Sequence, residues 1–416
     1  YLCCAAQPSP MTSVKDQYEA YPYPARDPAD EAKRLIAGSP SDPVEVDHYL
    51  FQGKRDWSKP FRVLVAGGGT GDALILLAQR LKDMGCPAEI TYIDLSIASR
   101  QIAESRAAAR GLTGIRWITG DLLQAPDLGP FDYIDCCGVL HHLPDPDAGF
   151  RALAAALSPE GGIGLMVYAP LGRTGVYPLQ EAFGSLLAED PPEQKTRLAR
   201  QALDRLAPTH PFARNTLVGD HQTGDAGLYD LLLHSQDRPY SVGDLFAALE
   251  QAGLGLVSFV ERARYDPMHY LPRDPAFRLR IEALAPVERA ALAERLSGNM
   301  KTHVAYAAPL NRVEQAEARP AGPNAVPHLN GVVPLALAKQ VREKSGFTLT
   351  SEGLEYRVSL PRGAAPLIGG IDGKRALGEI AELAGLDWIV FLQHWGAVSQ
   401  ALTGFNLLHY SQGGRR

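Results

Sequence analysis

A doubly wound α/β sheet is the fold that this 416-residue sequence predicts. Three observations carry the reading. Short apolar runs alternate with amphipathic stretches at the spacing of βα units. A glycine-rich turn joins the first run to the first stretch. The second run ends on an aspartate, where sheets of this kind bind ligands.

Residues 61–66 are a short, mostly apolar run, which suits a buried parallel strand. Gly67-Gly68-Gly69-Thr70-Gly71 follows and opens the helical stretch 72–84. Strand 89–93 ends at Asp94, helix 97–110 comes next, and 115–118 is a third strand. Strands 132–137 and 163–168 bracket helix 148–157. After Pro170 the rhythm breaks into helices, 178–189 and 192–206 among them. Helix 242–251, strand 254–260, helical 275–296 and a seventh strand at 303–307 restore it. The expected layout is an N-terminal cap over 11–60 and a ligand-binding sheet domain over 61–170 and 241–310. An inserted helical domain spans 171–240, a Pro-, Ala-, Asn- and Gly-rich linker 311–332, and a C-terminal domain 333–416.

Composition bounds the function. Apolar residues make up 45% and charged residues 21%, as in ordinary soluble domains. A net charge of −6 disfavours a phosphate-coating surface. The five cysteines (Cys3, Cys4, Cys86, Cys136 and Cys137) show no zinc or redox spacing. Their odd number suits a reducing cytoplasm, the expected location. No run of about 18 apolar residues is present, so no membrane insertion is expected. The opening YLCCAAQPSP lacks the basic start of a secretory signal, and Met11 reads as the natural start, with residues 1–10 an upstream extension.

The chemistry gathers at the strand ends. Glycines after a strand let the backbone turn sharply and approach a ligand at the positive end of the next helix. The spacing is GxGxG. The nicotinamide fingerprint would need glycine where Asp72 stands, so Gly67, Gly69 and Gly71 suit a cationic ligand end better than a pyrophosphate. The alternative is a tight turn with no ligand. Asp94 serves either ribose hydroxyls or the next helix N-terminus, a job Ser96 can also fill. Asp121 accepts from an adenine amino group, with Leu122 on the ring, or simply makes an Asx turn. The loop Gly138-Val139-Leu140-His141-His142 should overlie the reacting group. Adjacent histidines on an extended segment point opposite ways, and no carboxylate partner is apparent, so no metal is expected.

VLVAGGGTG, YIDLS, TGDLL, FDYIDCCGVLHHLPDP and LSPEGGIGLMVY together resemble the ordered motifs of class I S-adenosylmethionine-dependent methyltransferases, over about two thirds of the chain. The resemblance implies a Rossmann-like seven-stranded sheet with an antiparallel seventh strand at its edge. It implies S-adenosyl-L-methionine as cofactor, held around Ala66, Gly67, Gly69, Gly71, Asp94, Leu95, Asp121, Leu122, Gly138 and Val139. Many members carry an acid two residues before the first glycine. Val65 stands there, so the cofactor's amino group must be oriented from elsewhere, by Asp72 or the N-terminal cap. YEAYPYP at 18–24 and LLLHSQDR at 231–238 bring a narrower similarity to bacterial outer-membrane-protein lysine methyltransferases, which carry a helical dimerisation insertion and extra C-terminal domains.

The expected reaction is methyl transfer to a nitrogen of a protein or peptide side chain. The alternative is a small-molecule O- or N-methyltransferase of secondary metabolism. His142 and Tyr23 are the candidate bases, and Tyr18, Tyr21 and His234 the candidate substrate contacts. Plain packing is the alternative for the tyrosines, and an interfacial role for His234. Leu231-Leu232-Leu233 invites burial, and a homodimer through the insertion is expected. The C-terminal order resembles small winged-helix-type α+β domains. Its last helix, 387–402, has no Lys or Arg, so no nucleic-acid partner is expected. Trp388, Phe391 and Trp395 share one face of that helix, as core or as part of a groove.

Overall fold

The computed structural model describes residues 14–320 and 322–412. The expected start at Met11, residues 1–10 with Cys3 and Cys4, and residues 413–416 lie outside the described residues. Helices α1 (Val14–Ala20) and α2 (Pro43–Leu50) precede the sheet. Next come β1 (Phe61–Ala66), α3 (Asp72–Asp83), β2 (Ala88–Asp94), α4 (Ile97–Ala109), β3 (Arg116–Thr119), α5 (Ala125–Leu128), β4 (Phe131–Cys137), α6 (Pro146–Ala155) and β5 (Leu157–Tyr168). Alternation along β1 divides the core. Leu64 and Ala66 join one apolar cluster with Ile134, Leu165 and Leu153 of α6, while Val63 and Val65 join another with Tyr92 and Leu74 of α3. Both faces of the sheet are therefore covered, which is why its strands read as continuous apolar runs.

The insertion holds α7 (Val176–Leu186), α8 (Pro192–Leu203), α9 (Pro211–Arg214) and α10 (Asp225–Leu232) around its own apolar cluster. Leu231 and Leu232 are 1% and 0% exposed, within that cluster. They offer no surface to a second chain, so the leucine run does not support the expected homodimer. The sheet resumes with α11 (Val242–Gln251), β6 (Leu254–Phe259), α12 (Pro275–Glu282), α13 (Pro286–Ser297) and β7 (Thr302–Pro309). Strand order is β3-β2-β1-β4-β5-β7-β6. The seventh strand is antiparallel to β5, as expected, but it lies inside the sheet, and β6 forms the edge. A buried strand fits there because Ala305, Tyr306, Ala307 and Ala308 are fully enclosed.

Residues expected as a linker carry α14 (Val313–Ala316) and β8 (Ala325–Leu329). After them come α15 (Pro334–Lys344), the hairpin of β9 (Gly346–Ser351) and β10 (Leu354–Ser359), α16 (Ala364–Gly369), α17 (Leu377–Leu383), α18 (Trp388–Gly404) and β11 (Leu408–Gln412). β8 pairs antiparallel with β11, so the supposed linker is half of a two-stranded sheet. In α18, Phe391 and Trp395 are buried and stacked at 5.4 Å, which spends most of that aromatic face on the core. No helix among the described residues is long and apolar enough to cross a membrane.

Candidate active site

The crevice opens at the carboxyl ends of β1 and β4, neighbours in the sheet whose connections leave in opposite directions. Buried Ala66 leads into Gly67 and Gly69, at φ 67° and 50°, left-handed values that favour glycine. A Cβ on Gly67 would lie 2.4 Å from Val139 Cγ2; on Gly69 it would meet the Tyr23 carbonyl oxygen at 3.3 Å. Gly71 caps α3. Asp94 Oδ2 accepts from the Gly69 N–H at 2.8 Å, and Oδ1 from the Ser96 N–H at 2.8 Å. Ser96 Oγ, not Asp94, accepts from the Ser99 N–H at the start of α4. Burial raises the Asp94 pKa, against the pull of those two N–H groups. Leu95 is half-buried beside it, and Gly138, at φ 76°, leads into Val139. Asp121 makes the Asx turn, accepting from the Leu123 N–H at 2.9 Å. Leu122, expected against an adenine ring, is only 4% exposed, because α6 packs over its turn and draws it into the core.

Residues 14–34 form a strap across this turn. Thr70 Oγ1 donates to the Pro24 carbonyl (2.7 Å) and Ser96 Oγ to that of Tyr18 (3.1 Å). The Glu19 carboxylate accepts from the Ile97 and Ala98 N–H groups at the positive end of α4. Arg106, 1% exposed, donates to Glu31 (2.6 Å), Asp72 (2.7 Å) and the Thr70 carbonyl (2.8 Å). Arg26 binds the other side of Asp72 at 2.6 Å. Burial pushes the Asp72 carboxyl up, yet these two arginines outweigh it and hold the pKa below the usual range. Asp72 is thus engaged by guanidinium groups, which corrects the expectation that it orients the cofactor's amino group.

A buried polar cluster joins strap, sheet and insertion. Asp230 of α10 accepts from Tyr18 Oη (3.0 Å) and Tyr168 Oη (3.2 Å). His142 and His234 stack with ring centroids 3.7 Å apart. His142 Nδ1 bonds the Gln236 carbonyl at 2.8 Å, and among the described residues its Nε2 has no hydrogen-bond partner. Arg173 lies over the Tyr168 ring at 3.7 Å and pairs with Asp237 at 3.2 Å. Burial raises the Asp230 pKa and lowers that of His234, which is therefore neutral near neutral pH.

Several expectations need correction here. Tyr23 Oη donates to Asp220 (2.9 Å), and burial raises its pKa, so it stays a neutral donor and is a poor base. Both ring nitrogens of His234 are engaged, by Tyr18 Oη (3.3 Å) and the Gln236 N–H (3.1 Å), leaving none for substrate. Tyr21 stacks on Tyr229 of the insertion at 5.1 Å and holds the strap down. The adjacent histidines do not diverge. The 3-10 turn Leu140–His142 buries both, with ring centroids 4.2 Å apart. They also have carboxylate neighbours: potential ligand atoms of His142, Asp230 and His234 lie within 4.8 Å of one another, as do those of His141, His142 and Asp237. The insertion brings those acids from a distant segment, so the sequence hides them. One signal was there to read: Asp230 is a lone charge in the apolar stretch Leu228-Tyr229-Asp230-Leu231-Leu232. Tyr168, Arg173 and Asp220 were missed as well, with no comparable signal.

The methyltransferase-domain family profile matches residues 64–163, from β1 through the first part of β5. A Synechococcus protein of uncharacterised function is 30% identical over 317 residues, which is 73% of this chain and 72% of that one. The chain belongs to the S-adenosylmethionine-dependent methyltransferases. S-adenosyl-L-methionine is accordingly its cofactor. This methyltransferase is also 35% identical to a Caulobacter ubiquinone biosynthesis O-methyltransferase over 114 residues, 27% of this chain and 42% of that one. Its fold is shared with PKMT2 of Rickettsia typhi, solved with AdoHcy, at a TM-score of 0.61 and 15% identity, covering 90% of this chain and 76% of that one. The site residues fit the cofactor. The glycine turn is a cradle that side chains would fill, and Asp94 stands at its rim.

Proposed function

We propose that the methyltransferase transfers a methyl group to an amine nitrogen of a protein or peptide side chain, holding its cofactor on Gly67, Gly69, Gly71, Asp94 and the Gly138-Val139 turn. The observation that carries the acceptor reading is the buried Asp230 carboxylate between the phenols of Tyr18 and Tyr168. A negative charge held between phenol hydroxyls attracts an ammonium group. Bound cofactor supplies an electrophilic methyl on a cationic sulfur. The protein's residues do the rest. The strap excludes water from the crevice. His142 presents an unpartnered Nε2 able to take the proton that an amine must lose before it attacks. The amine so freed would be ready to receive the methyl group that the cofactor would supply.

A second reading, methyl transfer to a small molecule, is supported by the similarity to the Caulobacter ubiquinone biosynthesis O-methyltransferase. His142 would serve a phenol as well as an amine.

The test is incubation of the full chain with labelled cofactor, cell proteins and metabolites, followed by mass spectrometry. Label on a protein side-chain nitrogen is expected; label confined to small-molecule oxygen favours the second reading. His142→Gln should lower transfer about 100-fold while calorimetry shows S-adenosylhomocysteine still bound. Full turnover in that variant would sink the base assignment.

A further inference from the structure

We infer that the backbone of one residue, Gln236, fixes the two stacked imidazoles in opposite tautomers, and that His234 is a positioning residue for His142. The inference rests on the proposed role of His142 as the base.

Hydrogen-bond direction is decided by groups that have no choice. A carbonyl oxygen only accepts, so His142 Nδ1, 2.8 Å from the Gln236 carbonyl, carries a proton. In the neutral ring the lone pair then sits on Nε2. A backbone N–H only donates, so His234 Nδ1, 3.1 Å from the Gln236 N–H, carries a lone pair. Neutral His234 therefore has its proton on Nε2. That nitrogen lies 3.3 Å from Tyr18 Oη. The phenol accepts it and sends its own proton to Asp230 Oδ1 at 3.0 Å. Tyr168 Oη takes the remaining carboxylate oxygen at 3.2 Å. Each link forces the next, and the chain closes with donors and acceptors matched.

The arrangement has a purpose for His142. Its ring is clamped face to face with His234 at 3.7 Å and an interplanar angle of 16°. One edge is tied by the Gln236 carbonyl, and the opposite edge is left with its lone pair. The N–H bond to His234 anchors the peptide plane before Gln236, and the plane that carries the carbonyl is joined to it at the Gln236 Cα. His234 thus acts on His142 through both stacking and the Gln236 backbone. The base nitrogen is consequently aimed by parts of the chain outside the sheet, a way for an inserted element to govern a site built on strand ends.

The experiment is nitrogen-15 NMR of the full chain labelled at histidine, read without substrate and assigned with His142→Gln and His234→Asn. The wild type should show His142 protonated at Nδ1 and His234 at Nε2. His234→Phe keeps an aromatic ring against His142 but loses both hydrogen bonds. It should give an averaged His142 signal and turnover about tenfold lower with an unchanged cofactor KM. His234→Asn offers the Gln236 N–H a carbonyl acceptor near the place of Nδ1 and should restore the single His142 tautomer. Finding His142 protonated at Nε2 in the wild type, or an unaltered His142 signal and turnover in His234→Phe, overturns the inference. The tautomers are read without substrate, so full turnover in His142→Gln would sink the base role and leave the tautomer assignment standing.

Discussion

Gly67 and Gly69 look alike in the sequence and differ in space. Both have left-handed φ, but only Gly67 faces the wall formed by Val139. Gly67→Ala should therefore abolish detectable S-adenosylhomocysteine binding, because its methyl must displace Val139 into the crevice. Gly69→Ala, whose methyl meets one carbonyl oxygen at 3.3 Å, should cost about 1 kcal/mol of backbone strain and weaken binding mildly. Calorimetry on both variants checks this, and equal losses would refute it. The glycine turn was legible because its residues are contiguous and their conformational need is written into their type. Asp94 was legible from the strand that ends at it. The pairing of His142 with Asp230 and His234 was not, since no local pattern says which distant helix will arrive above a strand end. Tyr23 was misread for a related reason: its acceptor, Asp220, is known only from the fold.

Among the elements, the strap depends most on few interactions. Arg106 is fully enclosed and connects Glu31, Asp72 and the Thr70 carbonyl, tying strap to glycine turn. Removing Arg106 leaves Asp72 to Arg26 alone and Glu31 to Arg110 alone, and takes the donor from the Thr70 carbonyl. Arg106→Met should destabilise the protein by about 3 kcal/mol and open residues 20–34 to limited proteolysis before the sheet unfolds. Denaturant melting together with peptide mapping tests both halves; a cut pattern unchanged from the wild type would refute the strap assignment. Alternating strands and helices foretold the sheet well, since a period of two or of 3.6 survives in any context. β8 escaped because Ala325-Val326-Pro327-His328-Leu329 contains a proline, which argues against a strand unless it lies at an edge. A two-stranded sheet consists of edges only. The position of β7 inside the sheet could not be read either, because hydrophobic pattern records burial and says nothing of neighbour order.

At the scale of the molecule, α2 is fastened to the C-terminal region. Tyr49 Oη donates to Asn406 (2.9 Å), and the Asn406 amide donates to Glu45 (3.1 Å). The His48 ring accepts from the Tyr410 N–H (3.1 Å). Burial lifts the Glu45 pKa to about 7, against hydrogen bonds from Ser39, Asn406 and Tyr306. A carboxyl raised on folding stabilises fully below its unfolded pKa, near 4.5, and that stability is lost as pH rises through 7. His48 and His409 are lowered by burial and act in the opposite sense, losing stability as pH falls from 6.5. The contribution of Glu45 is therefore isolated by difference. Glu45→Gln should gain on the wild type by about 2–3 kcal/mol between pH 4.5 and 7.5. Urea melts across that window measure the gap, and a gap independent of pH would show that Glu45 does not titrate there. The fastening also bears on how the protein comes into being. During synthesis α2 emerges early, yet Asn406 and Tyr410, which bond Glu45, His48 and Tyr49, follow only after the whole sheet domain. The strap that covers the methyl site runs directly into α2. A nascent chain can build its glycine turn and most of its sheet long before it can hold that strap in place, so the ability to transfer a methyl group should arrive only after Asn406 and Tyr410 have been made.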